Sequence, residues 1–242
     1  WTPGSVSVRI NDVTTPHCHK DIITVVEGAG ENIATLILTK ARDAADVRFV
    51  HLLLDQLESG LGIQNRIGIE CLIEDVEGLQ NVNAIAAASD RLEALILGMG
   101  DYSASQGMDV TNVGEDDSRY PTDLWHYPRY AITVACRVNG LDAIDGPIAN
   151  FRDIDAIRTD CQRARVLGMD GKWAIHPNQV PISAKIFTPD SDRVALARRQ
   201  RDAYAAALKE GLGAIEVDGE MVDAATIRLL QNTLDRADLI GM

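Results

Sequence analysis

The chain has 242 residues, is 46% hydrophobic and 24% charged, and carries a net charge of −13. That balance describes a globular, soluble chain with enough apolar residues for one large core, and it argues against a nucleic-acid binder, which needs a basic footprint. No apolar run approaches the roughly 20 residues of a membrane span. The four cysteines, Cys18, Cys71, Cys136 and Cys161, are scattered with no C-x-x-C pair. This argues against a disulfide framework or structural zinc and makes a reducing cytoplasm the expected compartment. Trp1-Thr2-Pro3-Gly4 has neither the basic nor the apolar region of a signal peptide. Trp1 in place of Met sets the expectation that the natural protein starts upstream.

Strand and helix signals then alternate. Ser5–Asn11 is β-branched and reads as a strand, with helical composition over Asp21–Gly28. Thr35–Lys40 is a second apolar run, followed by a helix through Ala44–Ser59. Arg66–Glu74 is a third strand with a helix over Gly78–Ala88, and Leu92–Gly98 is a fourth. Trp125–Asn139 is an amphipathic helix leading to a fifth strand, Leu141–Asp145. Asp153–Leu167 is a helix before a sixth strand, Lys172–His176. Strands spaced in this way with helices between them specify βαβ units and a parallel sheet. From about Ser191 the beat changes to two helices, Arg193–Lys209 and Ala224–Gly241, flanking a hairpin-like EVDGEMVD. The expected division is a barrel over residues 1–190 and a helical C-terminal extension over 191–242.

In a β/α barrel the chemistry lies where the strands end. Those ends carry Arg9, Lys40, Glu74, Asp101, Asp145 and His176. A single charged strand end is usually a solvated loop residue, but six at comparable offsets form a pattern. Glu74 and Asp101 end consecutive strands, which makes them neighbours on one rim. Two hard carboxylates with open positions between them suit Mg²⁺, while the lack of imidazole or thiolate there counts against zinc. Arg9 adds a planar cationic fork suited to a carboxylate or a developing oxyanion. Lys40 fits a similar task or a snorkelling surface position. His17, His19, His51 and His126 are read as structural or solvated. Ser103 and Ser105, just after Asp101, are read as a helix N-cap turn with no chemical role.

VRIN around Arg9, ECLIEDVEG around Glu74, LGMGDYSASQGM around Asp101, DGP at 145–147 and GKWAIHPNQV at 171–180 are ordered along the chain. Together they resemble the HpcH/HpaI aldolase and citrate lyase β-subunit superfamily, and within it the malyl-CoA, β-methylmalyl-CoA and citramalyl-CoA lyases. The likeness extends to the tail motif DGEMVD. It implies an α/β fold of the TIM (β/α)₈ type that binds Mg²⁺ (or Mn²⁺) and a coenzyme A thioester and makes or breaks a carbon–carbon bond by Claisen chemistry. It further implies Glu74 and Asp101 as metal ligands and Arg9 as the arginine facing the oxo acid and enolate. Trp173, Ala174, Ile175, His176, Pro177 and Asn178 would line the acyl-CoA site. Asp223 would be an acid/base that reaches into a neighbouring subunit of a homo-oligomer, a trimer or hexamer. Gly98 and Gly100 are expected to let backbone and substrate approach Asp101 closely.

The sequence departs from that family in two places. The family's first two strands, with a basic nucleotide-binding segment and an acidic motif, have no counterpart. The turn after the second strand reads Thr39-Lys40-Ala41-Arg42 in place of a Pro-Lys-Val-Glu-like run. A thioesterase or a pyruvate-type aldolase on the same fold, or a non-catalytic citrate-lyase-β-like subunit, are the alternative readings.

Overall fold

The computed structural model describes residues 5–115, 117–120 and 122–242. Trp1 lies outside them. The described chain divides into two compact units at Ser183/Ala184.

The first unit is built on six strands: β1 (Ser7–Ile10), β2 (Thr35–Leu38), β3 (Gly68–Ile73), β4 (Leu92–Leu97), β5 (Asp142–Asp145) and β6 (Gly171–Lys172). They pair side by side in chain order, every pair parallel. Sequential parallel pairing with helical crossovers is the connectivity of a β/α barrel. The crossover helices are α1 (Cys18–Ala29), α2 (Ala44–Leu61), α3 (Val76–Gln80), α4 (Val82–Ala86), α5 (Met99–Gln106), α6 (His126–Asn139) and α7 (Ile154–Val166). A further helix, α8 (Val180–Phe187), follows β6.

Burial explains the strand signals. All four residues of β2 and five of six in β3 are buried, as continuous apolar runs in a doubly covered parallel sheet require. Ile37, Leu72 and Ile96 form one cluster on β2, β3 and β4, against which Ile144 and Trp173 pack. One such layer of side chains per level is how a barrel interior is filled. Toward the strand starts, Thr35 Oγ1 donates to Glu70 Oε1 at 2.6 Å and lies 2.7 Å from Ser7 Oγ.

Two expected elements differ. The helix expected over 78–88 breaks into α3 and α4 at Asn81. The Asn81 side-chain Nδ2 donates to Arg42 O at 2.9 Å, and Gly78 is packed so that a Cβ would sit 2.3 Å from Ala41 O. The sixth strand ends at Lys172 instead of His176. Trp173 N still donates to Asp145 O, but the N–H groups of Ile175 and His176 go to the side-chain oxygen of Gln179, so the ladder stops.

The second unit holds α9 (Ser191–Lys209), the antiparallel hairpin β7 (Ala214–Val217) and β8 (Glu220–Asp223), and α10 (Ala224–Leu239). The hairpin turns on Asp218 and Gly219, both at positive φ, as an Asp-Gly turn of this type demands. Val194 and Ala197 of α9 bury against Leu234 and Ala237 of α10, with Leu230 beside them.

Candidate active site

Glu74 is the residue after β3, and Asp101 lies in the first turn of α5, which starts directly after β4. The two carboxylates are joined through one residue. The Lys40 amide donates to Glu74 Oε1 at 3.0 Å, and its ammonium sits 2.9 Å from Asp101 Oδ1. Glu74 is buried, whereas the Asp101 side chain is 60% exposed. Burial pushes the Glu74 carboxyl up from its ordinary range, the charge of Asp101 adds to the shift, and the Lys40 N–H bond and the charges of Lys40 and Arg9 offset part of it. Arg9 is therefore within electrostatic reach of Glu74, from an exposed position on β1. Its neighbour across the β1–β2 ladder is Ile37.

The turn bearing Lys40 is fixed from several sides. Thr39 Oγ1 donates to Ile10 O at 3.0 Å, and Ala41 N donates to Leu72 O at 3.3 Å. Arg42 is held by Asp12 at 2.7 Å and Asp75 at 3.4 Å. Between these anchors Lys40 takes φ 51°, in the left-handed region that side-chain-bearing residues seldom enter. The turn that departs from the expected family pattern thus supplies both contacts to the carboxylates.

Gly98 is needed here. A Cβ at this position would lie 2.4 Å from Glu74 Cβ and 2.9 Å from its Oε2. At Gly100 a Cβ would meet no protein atom within 4 Å, so protein packing does not require glycine there. The serines after Asp101 are not an N-cap turn, which corrects the sequence reading. The β4–α5 connection is a single residue, so residues 102–105 already lie inside α5. Ser103 Oγ donates to Met99 O at 2.7 Å and accepts from Trp125 Nε1 at 3.1 Å. Ser105 Oγ accepts from Val76 N at 3.1 Å, satisfying the first free N–H of α3 instead of its own helix.

Asp145 is not an open rim residue; this also corrects the sequence reading. It is fully buried, and both its oxygens are taken. Arg129 of α6 donates to them from Nε at 3.0 Å and Nη2 at 3.1 Å, and the Lys172 ammonium lies at 2.6 Å. Lys172 also reaches Asp160 of α7 at 2.5 Å and the Gly146 carbonyl, while Arg129 reaches Asp160 and, at 2.8 Å, Asp123. Burial pushes Asp145 up, but Lys172 and Arg129 together outweigh it and hold the carboxyl below its usual range. Gly146 packs so tightly that a Cβ would sit 2.4 Å from Leu97 O, which presses the DGP turn against the end of β4.

The network also sets the next segment. Trp173 N donates to Asp145 O at 2.9 Å, and Trp173 is partly buried on the central apolar layer. Ala174, Ile175, Pro177 and Asn178 are exposed. His176 stacks on Phe151 with ring centroids 4.2 Å apart, and its Nδ1 accepts from Asn178 N at 3.2 Å. The Arg152 guanidinium covers the Phe151 ring at 4.8 Å. Gln179 is buried and ties this loop to Ile148 O at 2.8 Å.

Of the two roles read for His51, structural or solvated, its contacts fit the structural one. Its Nδ1 lies 2.7 Å from Ser89 Oγ and its Nε2 3.2 Å from Asp55, a pairing signalled by the i,i+4 spacing on α2. Ser89 precedes β4, at the opposite end of the sheet from Glu74 and Asp101, where a barrel keeps its stability contacts. In the second unit Asp223 caps α10, its Oδ1 accepting from Ala225 N at 3.0 Å and Thr226 N at 2.9 Å. Among the described residues no helix is long and apolar enough to cross a membrane.

The donor set at the rim is two carboxylates with no imidazole or thiolate, and no group of three His, Cys, Asp or Glu forms a metal cluster among the described residues. Two hard oxygens, mutually repelling and with one buried, fit an ion that takes part of its coordination from water or substrate.

The model of the HpcH/HpaI aldolase/citrate lyase family matches residues 2–177. This chain belongs to that family. It is similar to the L-malyl-CoA/β-methylmalyl-CoA lyase of Rhodobacter capsulatus, 38% identical over 99% of this chain and 78% of that one. Among solved structures it is similar to a citrate lyase from Burkholderia xenovorans, with a TM-score of 0.85 at 24% identity over 98% of this chain and 73% of that one. It is also similar to the protein CitE of Mycobacterium tuberculosis, solved in complex with magnesium, acetoacetate and coenzyme A. That likeness has a TM-score of 0.72 at 26% identity and covers 96% of this chain and 78% of that one. The sequential parallel sheet of this family member is therefore a TIM-barrel-type fold, as the family resemblance implied.

Proposed function

We propose that the chain is a magnesium-dependent carbon–carbon lyase acting on a 3-hydroxyacyl-CoA such as malyl-CoA, with glyoxylate and acetyl-CoA as products, or catalysing the reverse condensation. The observation that carries this is the pairing of Glu74 and Asp101 at adjacent strand ends in a chain 38% identical to a malyl-CoA lyase along 99% of its length. Glu74 and Asp101 would hold the ion, with Mn²⁺ as the alternative to Mg²⁺. When bound, the ion would supply Lewis acidity toward the oxygens of the hydroxy acid.

Cleavage requires the 3-hydroxyl to lose its proton. The electron pair of the breaking carbon–carbon bond then passes into the thioester as an enolate. Arg9 would offset that negative charge with its planar cationic fork. The stretch from Trp173 to Asn178, exposed at Ala174, Ile175, Pro177 and Asn178, would receive the acyl-CoA, anchored from behind by Trp173 N and Gln179. The enolate carbon must then take a proton, and Asp223 is the candidate acid. Its capping bonds use Oδ1, which leaves Oδ2 for that work.

The site would be completed between subunits of a homo-oligomer, a trimer or hexamer, in the cytoplasm, with Asp223 acting on a neighbour. Mixing two full-length inactive variants, Asp223→Ala and Asp101→Asn, under subunit exchange should restore part of the activity. Background activity after confirmed exchange would rule out the shared site. The reaction itself is tested by incubation with malyl-CoA and Mg²⁺. Equal glyoxylate and acetyl-CoA support the lyase, whereas malate with free coenzyme A would establish a thioesterase.

A further inference from the structure

The Lys40 side chain and main chain serve different carboxylates. Its amide binds Glu74 Oε1 within a turn fixed by Thr39, Ala41 and Arg42, and no side-chain substitution other than proline removes that bond. Its ammonium rests on Asp101 Oδ1, at the end of a flexible stem, where the carboxylate is 60% and the lysine 35% exposed. An ion pair this open is screened and exchangeable. A cation bridging Glu74 and Asp101 would compete with the ammonium for the same carboxylate.

The charges at the rim support the same conclusion. Glu74 and Asp101 are matched by Arg9 and Lys40, so the four groups are neutral together. A divalent cation leaves them with two positive charges in excess. That excess suits a ligand with two anionic centres, such as an oxo-acid carboxylate beside an enolate oxygen.

We propose that Lys40 is the built-in counter-ion that a divalent cation displaces from Asp101, and that the released ammonium then binds the carboxylate of the substrate. This rests on the cation site proposed above. Its signature is two effects of opposite sign from one substitution. Mn²⁺ binding is measured by titration calorimetry on the full chain, followed by glyoxylate binding at saturating Mn²⁺.

In Lys40→Met, Mn²⁺ should bind about threefold tighter or more, the scale of an exposed ion pair. Glyoxylate should bind about tenfold weaker, the scale of a lost charge-assisted contact. Lys40→Arg, which keeps the charge, should restore both affinities to within about threefold of the unsubstituted protein. Lys40→Gly suits the positive φ and should repeat the Met result even if Lys40→Met folds poorly. A merely structural lysine would weaken both ligands together. Unchanged or weaker Mn²⁺ binding in the Met and Gly variants, or unchanged glyoxylate binding, overturns the proposal. If the unsubstituted protein binds no Mn²⁺, the cation site fails and the proposal falls with it.

Discussion

Lys172→Met tests the buried charge network under the rim. The lysine side chain is 1% exposed, and its ammonium contacts Asp145, Asp160 and the Gly146 carbonyl. Met keeps much of the length and volume, so the change is chiefly electrostatic. Arg129 remains as the cation contacting Asp145, Asp160 and Asp123, and the net charge of these groups goes from one negative to two. Removing one partner from a buried ion pair costs about 3–5 kcal/mol, a large share of a typical domain's stability. Urea unfolding followed by tryptophan fluorescence reads this directly, because Trp173 adjoins Lys172 and Trp125 adjoins α6. The midpoint should fall at unchanged slope.

The pH dependence carries a sign. Asp145 is held below its ordinary range, so its pairing adds stability above that range and loses it as pH falls through the lowered value. Without Lys172 the carboxyl should rise, and acid unfolding should begin at higher pH. Adding Asp160→Asn should recover part of the loss, since it removes a carboxylate whose burial and repulsion by Asp145 already push it up. A loss below about 1 kcal/mol, the scale of an exposed pair, would refute the reasoning.

Glu74→Gln should abolish Mn²⁺ binding and Mg²⁺-dependent turnover while raising the melting temperature of the cation-free protein. It removes a buried charge that repels Asp101 and keeps an oxygen for the Lys40 amide; retained Mn²⁺ binding in a titration would disprove the ligand role. Arg9→Lys should lower kcat/KM more than about tenfold, or roughly 1.4 kcal/mol of barrier, because an ammonium lacks the planar fork; a smaller loss would make Arg9 peripheral. All four cysteines are buried, and burial pushes the Cys18 thiol up to about 11 and Cys136 up to about 12. A thiol-reactive disulfide reagent at pH 8 should therefore label none in the native protein and all four in denaturant.

The sheet was legible because a strand of a parallel sheet covered on both faces must read as an apolar run. TLIL and GIECLI could serve as little else. Glu74 and Asp101 were legible for the same reason, as the first carboxylates beyond such runs. The Lys40 bridge was not. It joins positions 34 and 61 residues apart, and no sequence signal marks a lysine at positive φ. The buried network left a trace in the helices. Arg129 shares a face with Ile132, Thr133 and Cys136, and Asp160 lies among Ile157, Cys161 and Ala164, all buried. A charged residue at apolar helical spacing needs an opposite charge inside, and Asp145 and Lys172 on adjacent strands supply it.

The same accounting of partners separates the carboxylates that end successive strands. Asp145 receives three N–H groups, two from Arg129 and one from Lys172, so its oxygens are saturated by fixed cations at a fully buried position. An added metal ion would have to expel one of those cations into a buried space, at the cost of an unpaired charge. Glu74 has one oxygen held by a backbone amide, which carries no full charge. Asp101 has one oxygen held by an ammonium at the edge of solvent. Neither would need to break a buried pair to accept a cation. The strand-end position alone therefore does not select a ligand; what occupies each oxygen beforehand does, and it favours Glu74 and Asp101 over Asp145.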